Sequence, residues 1–244
     1  MAMRYTMEEI SGYSYMEQGK YRNEIKYICS QAQLGLIENR IRPLCRPDPH
    51  GGEDGTYLIT SLYFDDYDNS CYYENENGVD PREKFRIRIY NRQLSYIALE
   101  CKRKQSGKIF KETCRLTDRQ FKSLLNQEWS GLVGTDPLIN KFYIACQTKC
   151  LRPKVIVEYE RTTFIYPQGN VRIAFDRNIT TSSRVQQFGQ INRGRPVMST
   201  GQHILEVKYD ELLPDYLYNA LQIEHLRQVA FSKYYICRKF INQG

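Results

Sequence analysis

The chain has 244 residues, 41% of them hydrophobic and 26% charged, with 35 Lys and Arg against 28 Asp and Glu. This is the composition of a soluble globular protein, which excludes a disordered chain, and no run approaches the ~18 apolar residues of a membrane span. The formal net charge of +7 favours anionic partners such as nucleotides, polyphosphates, nucleic acid or an acidic membrane surface, without choosing among them.

Residues 1–19 are polar and predict an extended or loosely docked arm, without the apolar core of a secretory signal. The eight cysteines include no CxxC pair and have no His at zinc spacing. They are expected to be reduced packing thiols of a cytoplasmic protein. Residues 20–244 are expected to form one domain.

KYRNEIKYICS (20–30) alternates Arg22, Glu24 and Lys26 on one side and predicts a first strand that ends at Ser30, a good N-cap. An amphipathic helix is expected from Gln31 to about Leu44, then a turn-rich loop. TYLITSLYFDDYD (56–68) predicts a second strand, with Tyr57, Ile59, Ser61, Tyr63 and Asp65 as the face for a polar interior. A short helix is expected over 69–76. Three strands follow, about 83–91, 94–104 and 108–116. Thr117 or Asp118 starts a helix to Leu125, and Asp136-Pro137 starts another to about Thr148. KVIVEYERTTFIYP and VRIAFDRNIT predict a hairpin across a Pro-Gln-Gly-Asn turn, and HILEVKYD an eighth strand. Residues 181–201 read as a polar loop. Helices are expected from Pro214 to about Leu226 and from Ser232 to Phe240. The fold class is therefore α+β, and eight antiparallel strands suffice to close a barrel with a usable interior.

Nearly every predicted strand carries charge at alternate positions. The first has Glu24 and Lys26; the third, Arg86 and Arg88; the fourth, Glu100, Lys102 and Lys104; the fifth, Lys111. Arg161, Arg172, and Glu206 with Lys208 follow on the sixth to eighth. Any one such strand is ordinarily a solvated face. If all of them line one barrel interior, the crowded cations are tolerable only with anions and water inside. Arg offers a fork of donors to phosphate and Lys a point charge. Glu206 first, then Glu24 and Glu100, could hold a divalent metal. That pattern suits phosphoryl transfer by positioning and charge neutralisation. No GxxxxGK[ST] loop and no Ser-His-Asp or Cys-His set is present. Nucleic acid is not expected as a partner, because no helix concentrates the basic residues.

In order, NEIKY (23–27), SLYFDD (61–66), KFRIRIY (84–90), LECKRK (99–104), FKET (110–113), VEYERTTF (157–164), VRIAFD (171–176), ILEVKYD (204–210) and FSKY (231–234) resemble the VTC-type polyphosphate polymerase domain. That domain is a branch of the triphosphate tunnel metalloenzyme, or CYTH-like, superfamily. The resemblance implies an eight-stranded antiparallel tunnel with flanking helices. It implies Lys26, Arg86, Arg88, Lys102 and Lys233 as the residues holding an ATP triphosphate. Lys111, Arg161 and Arg172 would share charge on the transferred group and the chain, and Glu206 would carry Mn²⁺ or Mg²⁺. Lys108 competes with Lys111 if the turn shifts register. The superfamily's ExExK is here Arg22-Asn23-Glu24-Ile25-Lys26, a departure that favours the polymerase branch over the triphosphatases. The expected partners are ATP and polyphosphate or orthophosphate. With no SPX-like region before the domain and no membrane segment after it, coupling to a membrane is expected to need a separate protein.

Overall fold

The computed structural model describes residues 20–52, 54–128, 136–191, 194–223 and 226–243; the expected arm 1–19, Trp129, Arg193 and His225 lie outside them. Among the described residues there are ten strands: β1 (Asn23–Ser30), β2 (Arg46–Pro47), β3 (Thr56–Asp65), β4 (Arg82–Tyr90), β5 (Gln93–Gln105), β6 (Lys108–Leu116), β7 (Arg152–Tyr166), β8 (Val171–Ser182), β9 (Arg195–Pro196) and β10 (Gln202–Tyr209), the eight expected and two short additions, β2 and β9. Eight of them form one antiparallel path in the order β1-β10-β8-β7-β3-β4-β5-β6, with β2 added to β7 and β9 to β8. The turns β4–β5 and β5–β6 put both central residues at positive φ, Asn91 and Arg92 at 50° and 56°, Ser106 and Gly107 at 51° and 75°. That twist suits two-residue hairpins and fixes the register of the three strands.

The sheet curls until its two edges meet. Arg22 and Ile109 exchange both backbone hydrogen bonds, at 2.8 and 2.9 Å, and so join the start of β1 to β6. Further along β1 the edge is covered differently: the Val229 N–H donates to the Lys26 carbonyl at 2.8 Å, and Gln228 bridges to Tyr27. An uncovered edge would leave those backbone groups without partners.

Among the described residues there are six helices: α1 (Gln31–Ile41), α2 (Ser70–Glu76), α3 (Asp118–Leu125), α4 (Pro137–Thr148), α5 (Asp215–Leu221) and α6 (Lys233–Gln243). Ser30 with Gln33 and Thr117 with Gln120 form reciprocal capping boxes, and Asp136 accepts from the first N–H groups of α4. The helix expected from Pro214 to about Leu226 is shorter, because the chain turns extended at Gln222 to reach the β1 edge.

Two apolar cores lie outside the curl. One packs Phe121, Leu124, Leu138 and Phe142 of α3 and α4 on Phe85, Ile87, Ile97 and Leu99. The other packs Leu34, Ile37, Ile41 and Leu217 of α1 and α5 on Ile173, Phe175, Leu205 and Val207. Each such side chain contributes roughly 1.5–3 kcal/mol on burial. A third cluster lies on the inward face, where Tyr234 and Cys237 of α6 meet Tyr63, Val155, Val157, Tyr159 and Ile204. The Tyr63 and Tyr234 rings are 5.4 Å apart, and the Tyr234 hydroxyl donates to buried Asp65. The inward face of β3 is the expected one, but α6 covers much of it.

Candidate active site

Strand register brings the inward charges together. Directly opposed across neighbouring strands are Lys26 and Glu206, Glu24 and Lys208, Arg86 and Glu100, and Arg161 and Asp176. Side chains at such positions are within reach of each other.

Three carboxylate centres organise the cations. Glu24 accepts from Lys102 Nζ at 2.7 and 2.9 Å and pairs with Lys26 at 2.6 Å. Glu100 takes Arg86 through Nε and Nη2, both at 2.6 Å, with Arg88 at 3.5 Å and Lys111 at 3.7 Å. Asp176, fully buried, accepts a fork from Arg161 at 2.6 and 2.7 Å and pairs with Lys233 at 2.5 Å. Glu206 links the first centre to the third: Lys208 is at 3.1 Å, Arg161 at 3.3 Å, Lys26 at 3.6 Å and Lys233 at 3.9 Å. The Lys233 ammonium also lies 4.8 Å from the centre of the Tyr159 ring.

The electrostatics follow from this packing. Burial works against every one of these carboxylates, and the facing cations more than offset it. Lys102 and Lys26 thus hold Glu24 below the usual carboxylate range; Arg86, Arg88 and Lys111 do so for Glu100, and Arg161 and Lys233 for Asp176. Glu206 is held well down by Lys208, Lys233 and Arg161 against the same burial. All four acids are anions at neutral pH. Lys102 goes the other way: burial, only partly answered by Glu24, pushes it down to about 7. On this inward face the bases still outnumber the acids, which leaves the surface receptive to an added polyanion.

The structure thus gathers Glu24, Lys26, Arg86, Arg88, Glu100, Lys102, Lys111, Arg161, Glu206 and Lys233. Lys111 stands opposite Lys102, while Lys108 is exposed at the turn. Arg172 stands apart, donating to Asp48 at 2.6 Å with about a third of its side chain exposed, at 32%. His203 lies on the outward face of β10, and His50 is exposed in its loop. Among the described residues no group of three metal-ligating side chains converges. Glu100 is enclosed by three cations. Glu24 and Glu206, which share Lys26 and Lys208, fit a divalent ion that takes one or two carboxylates and fills its remaining positions with phosphate oxygens.

The VTC domain family matches residues 21–242. The chain belongs to that family. Among solved structures, this VTC domain is similar to a candidate adenylate cyclase from Bacillus halodurans, 14% identical, covering 83% of this chain and 87% of that one, with a TM-score of 0.48. It is similar to a candidate adenylyl cyclase from Hippeastrum with a dominant triphosphatase activity, 14% identical over 82% and 84% of the two chains, with a TM-score of 0.48. It is also similar to the Mimivirus capping enzyme triphosphatase, 11% identical over 92% and 100%, with a TM-score of 0.36. No curated protein matches the chain.

Two inward residues of this VTC domain escaped the sequence reading. Asp176 follows Arg172 and Ala174 at the alternation that already marked the inward face, so its signal was present. Lys84 precedes Arg86 by the same spacing.

Proposed function

We propose that this VTC domain is a phosphotransferase that moves the γ-phosphate of ATP to a phosphate or polyphosphate acceptor, releasing ADP. The observation that supports it is the excess of cations on one curled, inward face. Lys26, Arg86, Arg88, Lys102 and Lys233 would hold the triphosphate; Arg161 and Lys111 would sit against the transferred group and the chain, with Arg172 at the edge of the face. Glu100 and Asp176 hold the guanidiniums of Arg86 and Arg161 in place. Glu206, with Glu24 beside it, would hold Mn²⁺ or Mg²⁺, which when bound supplies neutralisation of charge on phosphate oxygens. The acceptor itself is the nucleophile, so no side-chain nucleophile is required.

One observation favours a second reading. Helix α6 packs Tyr234 and Cys237 against the inward face, closing off part of the interior through which a growing chain would pass. Hydrolysis of tripolyphosphate or a nucleoside triphosphate needs no such passage and uses nearly the same residues. The experiment is to incubate the purified protein with ATP and Mn²⁺, with and without a short polyphosphate primer, and resolve the products on a gel stained for polyphosphate. A ladder that disappears in Glu206→Ala is the expected result. Orthophosphate without a ladder selects the triphosphatase, and a ladder undiminished in Glu206→Ala removes that residue from the metal site.

A further inference from the structure

We propose that Lys84 is a further substrate-contacting residue, taking a phosphate group of the tunnel's triphosphate or polyphosphate ligand together with the Ser232 hydroxyl. This rests on the triphosphate reading above and adds to it a residue outside the set that the family resemblance implies.

The register carries the argument. Lys84, Lys102 and Lys111 stand directly opposite one another across β4, β5 and β6. Like charges so placed repel. Lys102 is answered by Glu24 and Lys111 by Glu100. Lys84, at the end of the row, has no carboxylate within ion-pair distance among the described residues; its Nζ donates to Ser232 Oγ at 3.1 Å and lies 5.8 Å from the centre of the Tyr234 ring. One of three ammonium donors is thereby used.

A purely structural role fits poorly. Ser232 immediately precedes α6, and its hydroxyl accepts from the Tyr235 N–H at 3.3 Å. A cation beside a helix N-terminus opposes the helix dipole, so Lys84 is of the wrong sign to stabilise that end. An anion between the two would suit both. The surroundings are cationic as well: Lys26 reaches the neighbouring Phe231 carbonyl at 3.0 Å, and Lys233 begins the helix. The charged and titratable groups facing Lys84 are Cys71 of α2, Lys26, Lys102, Tyr234, and Arg82 and Arg86 of its own strand. Burial pushes the ammonium down to about 8, with Cys71 acting in the opposite sense and Lys26 adding to the fall. The free protein thus holds a charge that a bound oxyanion would satisfy.

Calorimetric titration of inorganic tripolyphosphate into the whole protein and into Lys84→Gln tests this, with melting temperatures taken without ligand. Lys84→Gln keeps a donor for Ser232 and removes the charge. The expected result is affinity lower by about tenfold or more, the size of a lost charge-assisted hydrogen bond, with a melting temperature no lower than that of the wild type. Lys84→Arg should recover most of the affinity. Unchanged affinity in Lys84→Gln overturns the proposal while leaving the triphosphate reading intact, and the more so if that variant melts lower. A wild-type protein that does not bind tripolyphosphate overturns both. If Lys84→Gln does not fold, Lys84→Met carries the same test, and failure of both to fold assigns the residue to the fold and overturns the proposal.

Discussion

At the scale of single residues, the inward face is a set of charges that hold one another in place. Asp176 is the clearest case, because Arg161 and Lys233 both turn to it inside the protein. Asp176→Ala leaves two buried cations with Glu206 as their shared carboxylate and should cost about 3–5 kcal/mol of stability, read from urea unfolding. A loss below about 1 kcal/mol would show that Asp176 does not anchor this centre. The pH dependence has two arms of the same sign, because both sets of groups have depressed folded pKa values. Glu100, Asp176 and Glu206 have folded pKa values below their unfolded ones. Their stabilising contribution is present above about pH 4–5 and is lost as pH falls through the lower folded values. Lys84 is depressed from 10.5 to about 8, so between those values the unfolded chain binds more protons than the folded one, and stability rises with pH. The buried thiols and Lys102 titrate in the same range in both proteins, so the contribution of Lys84 is read as a difference: the unfolding free energy of the wild type relative to Lys84→Gln should increase from about pH 7.5 to about pH 9.5.

At the scale of elements, local signals and long-range pairings were unequally legible. Ser30 with Gln33 and Thr117 with Gln120 carry their helix starts within four residues, and the sequence reading placed both. Ser30→Ala and Thr117→Ala should each cost about 1 kcal/mol, measured by thermal unfolding. Strand positions were legible for the same reason, since a period of two is local. The end of α5 was not, because the helix stops at Leu221 and residues beyond it, Gln228 and Val229, pair with a β1 edge about two hundred residues away in a chain of 244. Nor was the place of α6. Its apolar positions predict a buried stripe but do not say that the stripe enters the curl and meets Tyr63 and Tyr159. The same division holds in the site: alternation marks which residues face inward, while only register shows that Lys111, rather than Lys108, stands opposite Lys102, or that Lys84 ends that row without a carboxylate.

At the scale of the whole molecule, two apolar cores cover the outside of the sheet against α1, α3, α4 and α5, while the inside is shared between the charges and the apolar contact with α6. The thiols follow this partition. Burial pushes Cys29, Cys101, Cys114, Cys146 and Cys237 up to about 12 and Cys45 up to about 11, whereas Cys150 is exposed. Alkylation of the native protein should therefore modify Cys150 first, and all eight thiols only after unfolding. On the proposed function, the inward cations act together on one phosphate chain. Calorimetric titration of tripolyphosphate into the wild type and into Arg86→Ala, at two salt concentrations, tests it most directly. The expected result is one tight site that weakens as salt rises and is lost, or weakened by about a hundredfold, in Arg86→Ala, as expected for a forked, charge-assisted contact. Binding of equal strength in the two proteins would contradict it.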